Sequence, residues 1–155
     1  MKNLTLIFAY FIFPIFLPIG GHNLTISEVE SILGEPCSQL EKVSTAENGG
    51  HQFKTSFAAK SNNKVVLYYI FESYENEAAA NKKYDEFHSG NSNSSGFKNL
   101  TTLGDEAFFQ TDSQNFGLVV ARKGNEMIRI KVNKTTSKFS KENLINVAFE
   151  LLKRV

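Results

Sequence analysis

Two adjacent carboxylates, Asp105 and Glu106, follow a glycine in the stretch LGDEAFFQ at residues 103–110. Paired carboxylates can act as general acid and general base when both side chains reach one reacting group. Neighbouring residues on a β-strand point to opposite faces of the sheet, so a strand would keep these two carboxylates apart. We predict that Asp105 and Glu106 lie in a turn after Gly104, where Asp bonds nearby backbone, and that a strand resumes at Ala107.

Other residues of nucleophilic or metal-binding type are scattered along the chain. His22, His51 and His88 lie in separate predicted elements, without the i, i+4 or Cys-x-x-Cys spacing of a metal site. Cys37 is the only cysteine, and it is predicted to be a small buried apolar residue, with a reactive thiol or an intermolecular bridge as the alternative. Glycine-rich phosphate loops and G-x-S-x-G elbows do not occur. The sequence therefore predicts no catalytic residue, no cofactor and no metal site.

A β-hairpin is predicted over FGLVVARKGNEMIRIKVN, with Gly124-Asn125 as its two-residue turn. This register sets Lys123 opposite Glu126. One face of the hairpin is wholly apolar and is predicted to face the core: Val119, Ala121, Ile128, Ile130 and Val132.

The second face of this hairpin carries the candidate site residues Arg122, Met127, Arg129 and Lys131, beside two aliphatic residues. Three cations among apolar side chains would bind an anionic ligand or an acidic protein surface. Two alternatives stay open. These residues point to solvent, with the stems of Arg and Lys covering the sheet, or a neighbouring helix covers the apolar part.

Hydrophobic periodicity predicts the elements that position these residues. Helices are expected within TISEVESILGEP, ESYENEAAANKKYDEFHSG and SKENLINVAFELLKRV. Strands are expected at HQFKTSF, at VVLYYIF, within FKNLTTLGDEAFFQTD and in the hairpin. VVLYYIF is apolar throughout, which is typical of a strand covered on both faces. The polar stretch that ends at Gly49-Gly50 is left without a strand.

The fold class that follows is α+β, with a mainly antiparallel sheet packed against helices and the order α-β-β-α-β-β-β-α. Residues of capping type mark the helix ends. The predicted N-terminal caps are Ser27 with Glu30, Ser73 or Asn76, and Ser140, and the predicted ends are Gly34 and Gly90.

Residues 1–21 are predicted to be a secretory signal peptide, and residues 22–155 a single α+β domain. Lys2 precedes an almost wholly apolar run from Leu4 to Ile19, which small residues follow. An uncleaved membrane anchor is the alternative, although the run is short for a span and contains two prolines. The protein is therefore expected to be exported to the periplasm, cell envelope or extracellular space. Membrane contact is expected only if the segment is uncleaved.

Charge gives no sign of a nucleic-acid partner. The chain has 17 basic and 16 acidic residues, and without Lys2 the two counts are equal. A nucleic-acid-binding protein would show a basic excess or a basic stripe, so no nucleic acid is expected.

The stretches LGDEAFF and GLVVARKGN lie between an apolar strand that runs into FESYENEAAANKKYDEF and a final SKENLINVAFELLKR. This pattern resembles small secreted or lipoprotein-borne bacterial domains of unknown function, in which a GLGDEA turn precedes a VRKGN hairpin. The resemblance implies an α+β sandwich similar to the PsbP-like fold, and it implies no catalytic residues. The chain differs from the lipoprotein members because no cysteine directly follows its apolar run, where the lipid would be attached.

These features predict an exported, non-enzymatic binding or accessory domain of the cell envelope. Its expected partner is an unknown protein or a small anionic ligand. The alternative function is that of a small secreted enzyme whose site is assembled from distant residues.

Overall fold

The computed structural model describes residues 22–47, 50–112 and 115–154. The predicted signal peptide, residues 1–21, lies outside the described residues. The elements in chain order are α1 (Ile26–Leu33), β1 (Cys37–Glu47), β2 (Gly50–Ala59), β3 (Val66–Ser73), α2 (Glu77–Asn91), β4 (Lys98–Asn99), β5 (Glu106–Thr111), β6 (Gly117–Lys123), β7 (Glu126–Val132) and α3 (Lys141–Lys153). No helix in these described ranges combines the length and the apolar character needed to cross a bilayer.

The seven strands form one sheet in the order β1-β2-β3-β7-β6-β5-β4, and every neighbouring pair is antiparallel. Helices α1 and α3 pack on one face of this sheet, and α2 packs on the other. The predicted fold class, an antiparallel sheet packed against helices, is confirmed.

The predicted order of elements misses two strands. β1 occupies the polar stretch for which no strand is predicted, and β4 is a two-residue strand. Residues 38–46 of β1 are exposed, so this strand carries no alternation of buried and solvent-facing residues. It is held by backbone pairing to β2 at the sheet edge, with a bulge between Gln39 and Glu41. Hydrophobic periodicity detects a strand only through a buried face, and it fails here for that reason.

The helix ends follow the predicted chemistry, with two changes of position. The capping box of α1 is formed by Thr25 and Glu28, two residues before the predicted pair. Asn76 caps α2 and Ser140 caps α3, as predicted. Helix α2 continues beyond Gly90 to Asn91, so the predicted end at this glycine is wrong.

The larger core lies between the sheet and the α1–α3 layer. The predicted core face of the hairpin lies in it, together with alternate residues of β3 and the apolar stripes of both helices. The hairpin pairs in the predicted register, with Lys123 opposite Glu126, and Gly124 adopts the left-handed conformation that this turn needs (φ 58°).

Tyr69 lies fully buried in this core, and its hydroxyl has no hydrogen-bond partner among the described residues. Burial raises the pKa of this phenol, so the hydroxyl stays protonated as an unfilled donor. Because a buried unsatisfied polar group costs about 1–3 kcal/mol, we expect Tyr69→Phe to raise the free energy of unfolding by about 1 kcal/mol. Urea denaturation measures the change. Tyr68→Phe is the matched control on the neighbouring, exposed residue, and an equal effect of both substitutions would contradict the prediction.

Candidate ligand-binding groove

Helix α2 covers only part of its face of the sheet. Beneath it lies a second, smaller core built from Tyr84, Phe108, Val120 and Met127. This layer lies over β6 and β7, and the same face of β3 is only partly covered. Tyr68 is 44% exposed and Ile70 is half-buried. The prediction that VVLYYIF is covered on both faces is therefore wrong for one face.

A groove of about 610 Å³ runs between α2 and the uncovered part of the sheet. Its floor is mostly apolar, with Tyr68 and Ile70 from β3 beside Leu118 and Val120 from β6. Phe87 of α2 forms part of the wall. Volumes of this size are typical of sites for small organic ligands.

Two of the four predicted site residues, Arg129 and Lys131 of β7, line this groove. Strand pairing sets Ile70 opposite Arg129 and Tyr68 opposite Lys131. Each cation thus lies beside an apolar side chain of the neighbouring strand. This is the mixture of apolar and basic groups that the hairpin sequence predicts.

The other two predicted site residues lie elsewhere. Met127 is fully buried in the second core under α2. Arg122 is 6% exposed, and its guanidinium faces three carboxylates rather than solvent. Of the two alternatives left open for this face, a helix that covers the apolar part describes Met127, and neither alternative describes Arg122.

Arg122 is the centre of an ion cluster. Its Nε lies 3.0 Å from Glu106, and its Nη1 lies 3.3 Å from Asp105 and 3.4 Å from Glu77. The same Nη1 donates to the carbonyl oxygen of Gly124 at 2.8 Å. Interaction with these carboxylates raises the pKa of Arg122 above its usual value despite its burial.

The adjacent acids of LGDEAFFQ therefore share one arginine. Asp105 lies in the turn, as predicted, and its Oδ2 accepts a hydrogen bond from the backbone N–H of Gly124 at 2.7 Å. Glu106 begins β5, one residue before the predicted start. Both carboxylates pair with Arg122, and Asp105 holds the β6–β7 turn against the start of β5.

Arg129 is fixed on two sides. Its Nη2 lies 2.9 Å from the carboxylate of Glu72, and its guanidinium lies 4.5 Å from the centre of the Phe87 ring. Gln52 donates to the other oxygen of Glu72 at 2.6 Å. The Nε of Arg129 is buried and has no hydrogen-bond partner among the described residues. The charge of Arg129 is balanced, and one of its donors stays unused.

Lys131 is exposed at the open side of the groove. Its Nζ lies 5.4 Å from the centre of the Phe116 ring. Within the described part of the chain no carboxylate forms an ion pair with it. Lys131 is therefore the cation of the groove whose charge is not balanced by a neighbour.

A second depression, of about 520 Å³, lies on the far side of Glu72. Glu72, Glu75, Lys83 and His51 are among its lining residues. Charges of both signs line this depression, and it shares no lining residue with the groove. The groove and the depression are therefore separate features.

The histidines and the cysteine lie apart. His22 stacks on Phe71 at 4.0 Å, His88 bonds Asn99 at 3.1 Å, and His51 is exposed on β2. Cys37 is 3% exposed, and burial raises the pKa of its thiol. No group of three His, Cys, Asp or Glu side chains suited to a metal ion occurs in the part of the chain that the structure describes.

Sequence reasoning found the cations of the groove and missed its aromatic parts. The sequence predicts Tyr68 as a covered strand residue and places Phe87 within a helix, with no role in a site for either. Phe87 lies only one turn before the end of α2. Near a helix end an apolar side chain can extend beyond the core, and this position was the sequence signal that could have identified Phe87. The pairing of Glu72 with Arg129 depends on strand neighbours 57 positions apart in sequence, and no local pattern marks it.

Comparison with protein-family models gives no match for this chain, and comparison with curated protein sequences gives no significant relative.

Proposed function

We propose that this chain is an exported, non-enzymatic binding domain that holds a small amphipathic ligand in the groove between α2 and β3. Export rests on the sequence of residues 1–21, which has the charge and hydropathy pattern of a signal peptide. The binding role rests on the groove.

One observation carries the proposal: a large aromatic side chain and an unpaired cation lie next to each other on an open sheet face. Tyr68 is 44% exposed, and Lys131 is its partner on the neighbouring strand. Exposed apolar surface beside an opening of ligand size is a common mark of a binding site. A ligand covering Tyr68 would remove this apolar surface from water.

A neutral apolar dye, N-phenyl-1-naphthylamine, tests whether the groove takes a ligand. We expect saturable fluorescence enhancement with the folded protein, and a rise in Kd of about fivefold or more in Tyr68→Ala, since an aromatic contact contributes about 1 kcal/mol. Fluorescence titration, followed by circular dichroism of each variant, measures this effect.

Phe149→Ala is the matched control for this titration. Phe149 is 40% exposed, similar to Tyr68, but it lies on α3 on the other side of the sheet. Its removal is expected to leave dye binding unchanged. Failure of the folded protein to bind the dye, or an equal loss in both variants, would count against the proposal.

A further inference from the structure

We propose that the ligand is a small monocarboxylate with an apolar tail, bound with its carboxylate at Lys131 and its tail over Tyr68, Ile70 and Phe87. This inference rests on the proposed function and assigns a chemical class to the ligand of the same groove.

The sign of the ligand charge follows from the lining of the groove. Arg129 and Lys131 are its charged side chains, and no Asp or Glu of the described chain lines it. A cationic ligand would meet two positive groups and no counter-charge. A neutral ligand would leave Lys131 without a partner in a partly apolar setting, where charge pairs are less screened than in water.

The size of the ligand charge follows from the existing ion pair. Glu72 balances Arg129 at 2.9 Å, and Gln52 satisfies the second carboxylate oxygen. Lys131 forms no ion pair with any carboxylate among the described residues. A monoanion therefore complements the groove, whereas multiply charged phosphates are usually held by several donors in a fork or a backbone nest.

The chemistry of the anion is also constrained by its neighbours. The Nε of Arg129 is a buried donor without a partner among the described residues, and it belongs to the same wall as Lys131. Carboxylate oxygens accept hydrogen bonds from both types of nitrogen. The positive charges of Arg129 and Lys131 thus favour a negatively charged head group over a hydroxyl or an amine.

The apolar part of the ligand is required by the floor. Tyr68, Ile70 and Phe87 are each only partly buried, and a hydrocarbon tail would bury them at about 25 cal/mol per Å² of apolar surface. The volume of about 610 Å³ suits a molecule of low mass. A free amphipathic carboxylate combines this tail with the single charge that Lys131 complements.

Three probes with similar unbranched alkyl tails test the inference: decanoate, decanol and decyltrimethylammonium, all below their aggregation concentrations. Their Kd values are measured by displacement of the neutral dye from the purified protein. We expect decanoate to bind at least tenfold more tightly than decanol, and the cation to bind most weakly. Lys131→Glu is expected to abolish the preference for decanoate while decanol binding changes by less than twofold.

Lys134→Glu is the matched control, because Lys134 is an exposed lysine three residues further on that does not line the groove. It makes the same change in net charge and is expected to keep the preference for decanoate. If Lys134→Glu removes the preference as well, the effect belongs to the overall charge of the protein, and the assignment to Lys131 is wrong.

The remaining outcomes separate the inference from the function on which it rests. Equal binding of decanoate and decanol would overturn the monocarboxylate and leave a groove that binds apolar ligands. No binding of the dye or of any probe would overturn the proposed function itself. A dimer in light scattering that excludes the dye, and that dissociates in Tyr68→Ala, would show a second copy of the chain as the occupant and overturn the inference. Recovery of chemically altered decanoate would contradict the non-enzymatic role.

Discussion

Arg122→Met is expected to lower the free energy of unfolding by about 2 kcal/mol, because it removes the hydrogen bonds of a buried cation to its carboxylates and to a backbone carbonyl. Arg122 is the only buried member, while the side chains of Glu77, Asp105 and Glu106 are each more than a third exposed. Methionine would fill the space of the arginine stem without its charge. The three carboxylates would then repel one another, and the carbonyl of Gly124 would lose its donor.

Chemical denaturation of Arg122→Met and of Arg154→Met provides the measurement. Arg154 pairs with Glu28 near the protein surface, and exposed pairs contribute about 0–1 kcal/mol. The loss should thus be several times larger at position 122 than at position 154. Losses of equal size would show that the cluster contributes no more than a surface pair.

The ion cluster around Arg122 determines which cation of the hairpin face can be replaced by an acidic residue without destabilising the fold. A charge reversal at Arg122 would place a fourth carboxylate among three and would destabilise the fold. Loss of binding in such a variant would report unfolding. Lys131 is exposed and forms no ion pair with a described carboxylate, which makes it the suitable position for a reversal.

Phe108→Ala is expected to cost about 3–5 kcal/mol, the usual range for a fully buried aromatic residue. Phe108 is 0% exposed in the small core under α2. Its ring lies 5.1 Å from that of Phe97 and 5.9 Å from that of Tyr84, which anchors α2. Among the described residues this cluster is much smaller than the core under α1 and α3, and its other hydrophobic neighbours are only partly buried.

Phe109→Ala is the companion variant, because Phe109 is equally buried but faces the larger core under α1 and α3. Both substitutions should lower global stability. Amide hydrogen exchange should separate them: protection in α2 should fall more in Phe108→Ala, and protection in α3 more in Phe109→Ala. The same pattern of lost protection in both variants would show that the two faces do not behave as separate packing layers.

Local chemistry in the sequence determined the last hairpin and most helix ends. Gly124-Asn125 supplies the backbone conformations of a two-residue turn, and that turn fixes the register of every pair in β6 and β7. Asn76 and Ser140 bond backbone within one helical turn of themselves. Interactions between residues so close in sequence form in nearly any tertiary setting, and a pattern of residue types is enough to predict them.

The tertiary structure decided what the second face of the hairpin does. Val120, Met127 and Lys131 share that face in the sequence, but α2 lies over the first two and leaves the third exposed. The position at which α2 crosses the sheet depends on packing between residues far apart in sequence. Arg122 became a structural cation because the turn at Asp105 brings two carboxylates to it and the start of α2 brings a third, Glu77. Lys131 forms no ion pair because no carboxylate of the described chain reaches it.

The sequence by itself thus determined the antiparallel α+β fold, the hairpin register and the presence of cations among apolar residues. Tertiary structure alone decided which cations are neutralised, where β1 pairs, and that Tyr68 and Phe87 meet across a groove. The physical reason is the separation in sequence of the residues that interact. Turns, caps and strand alternation arise from neighbours along the chain. Burial and charge pairing arise from elements that meet only after the sheet has formed.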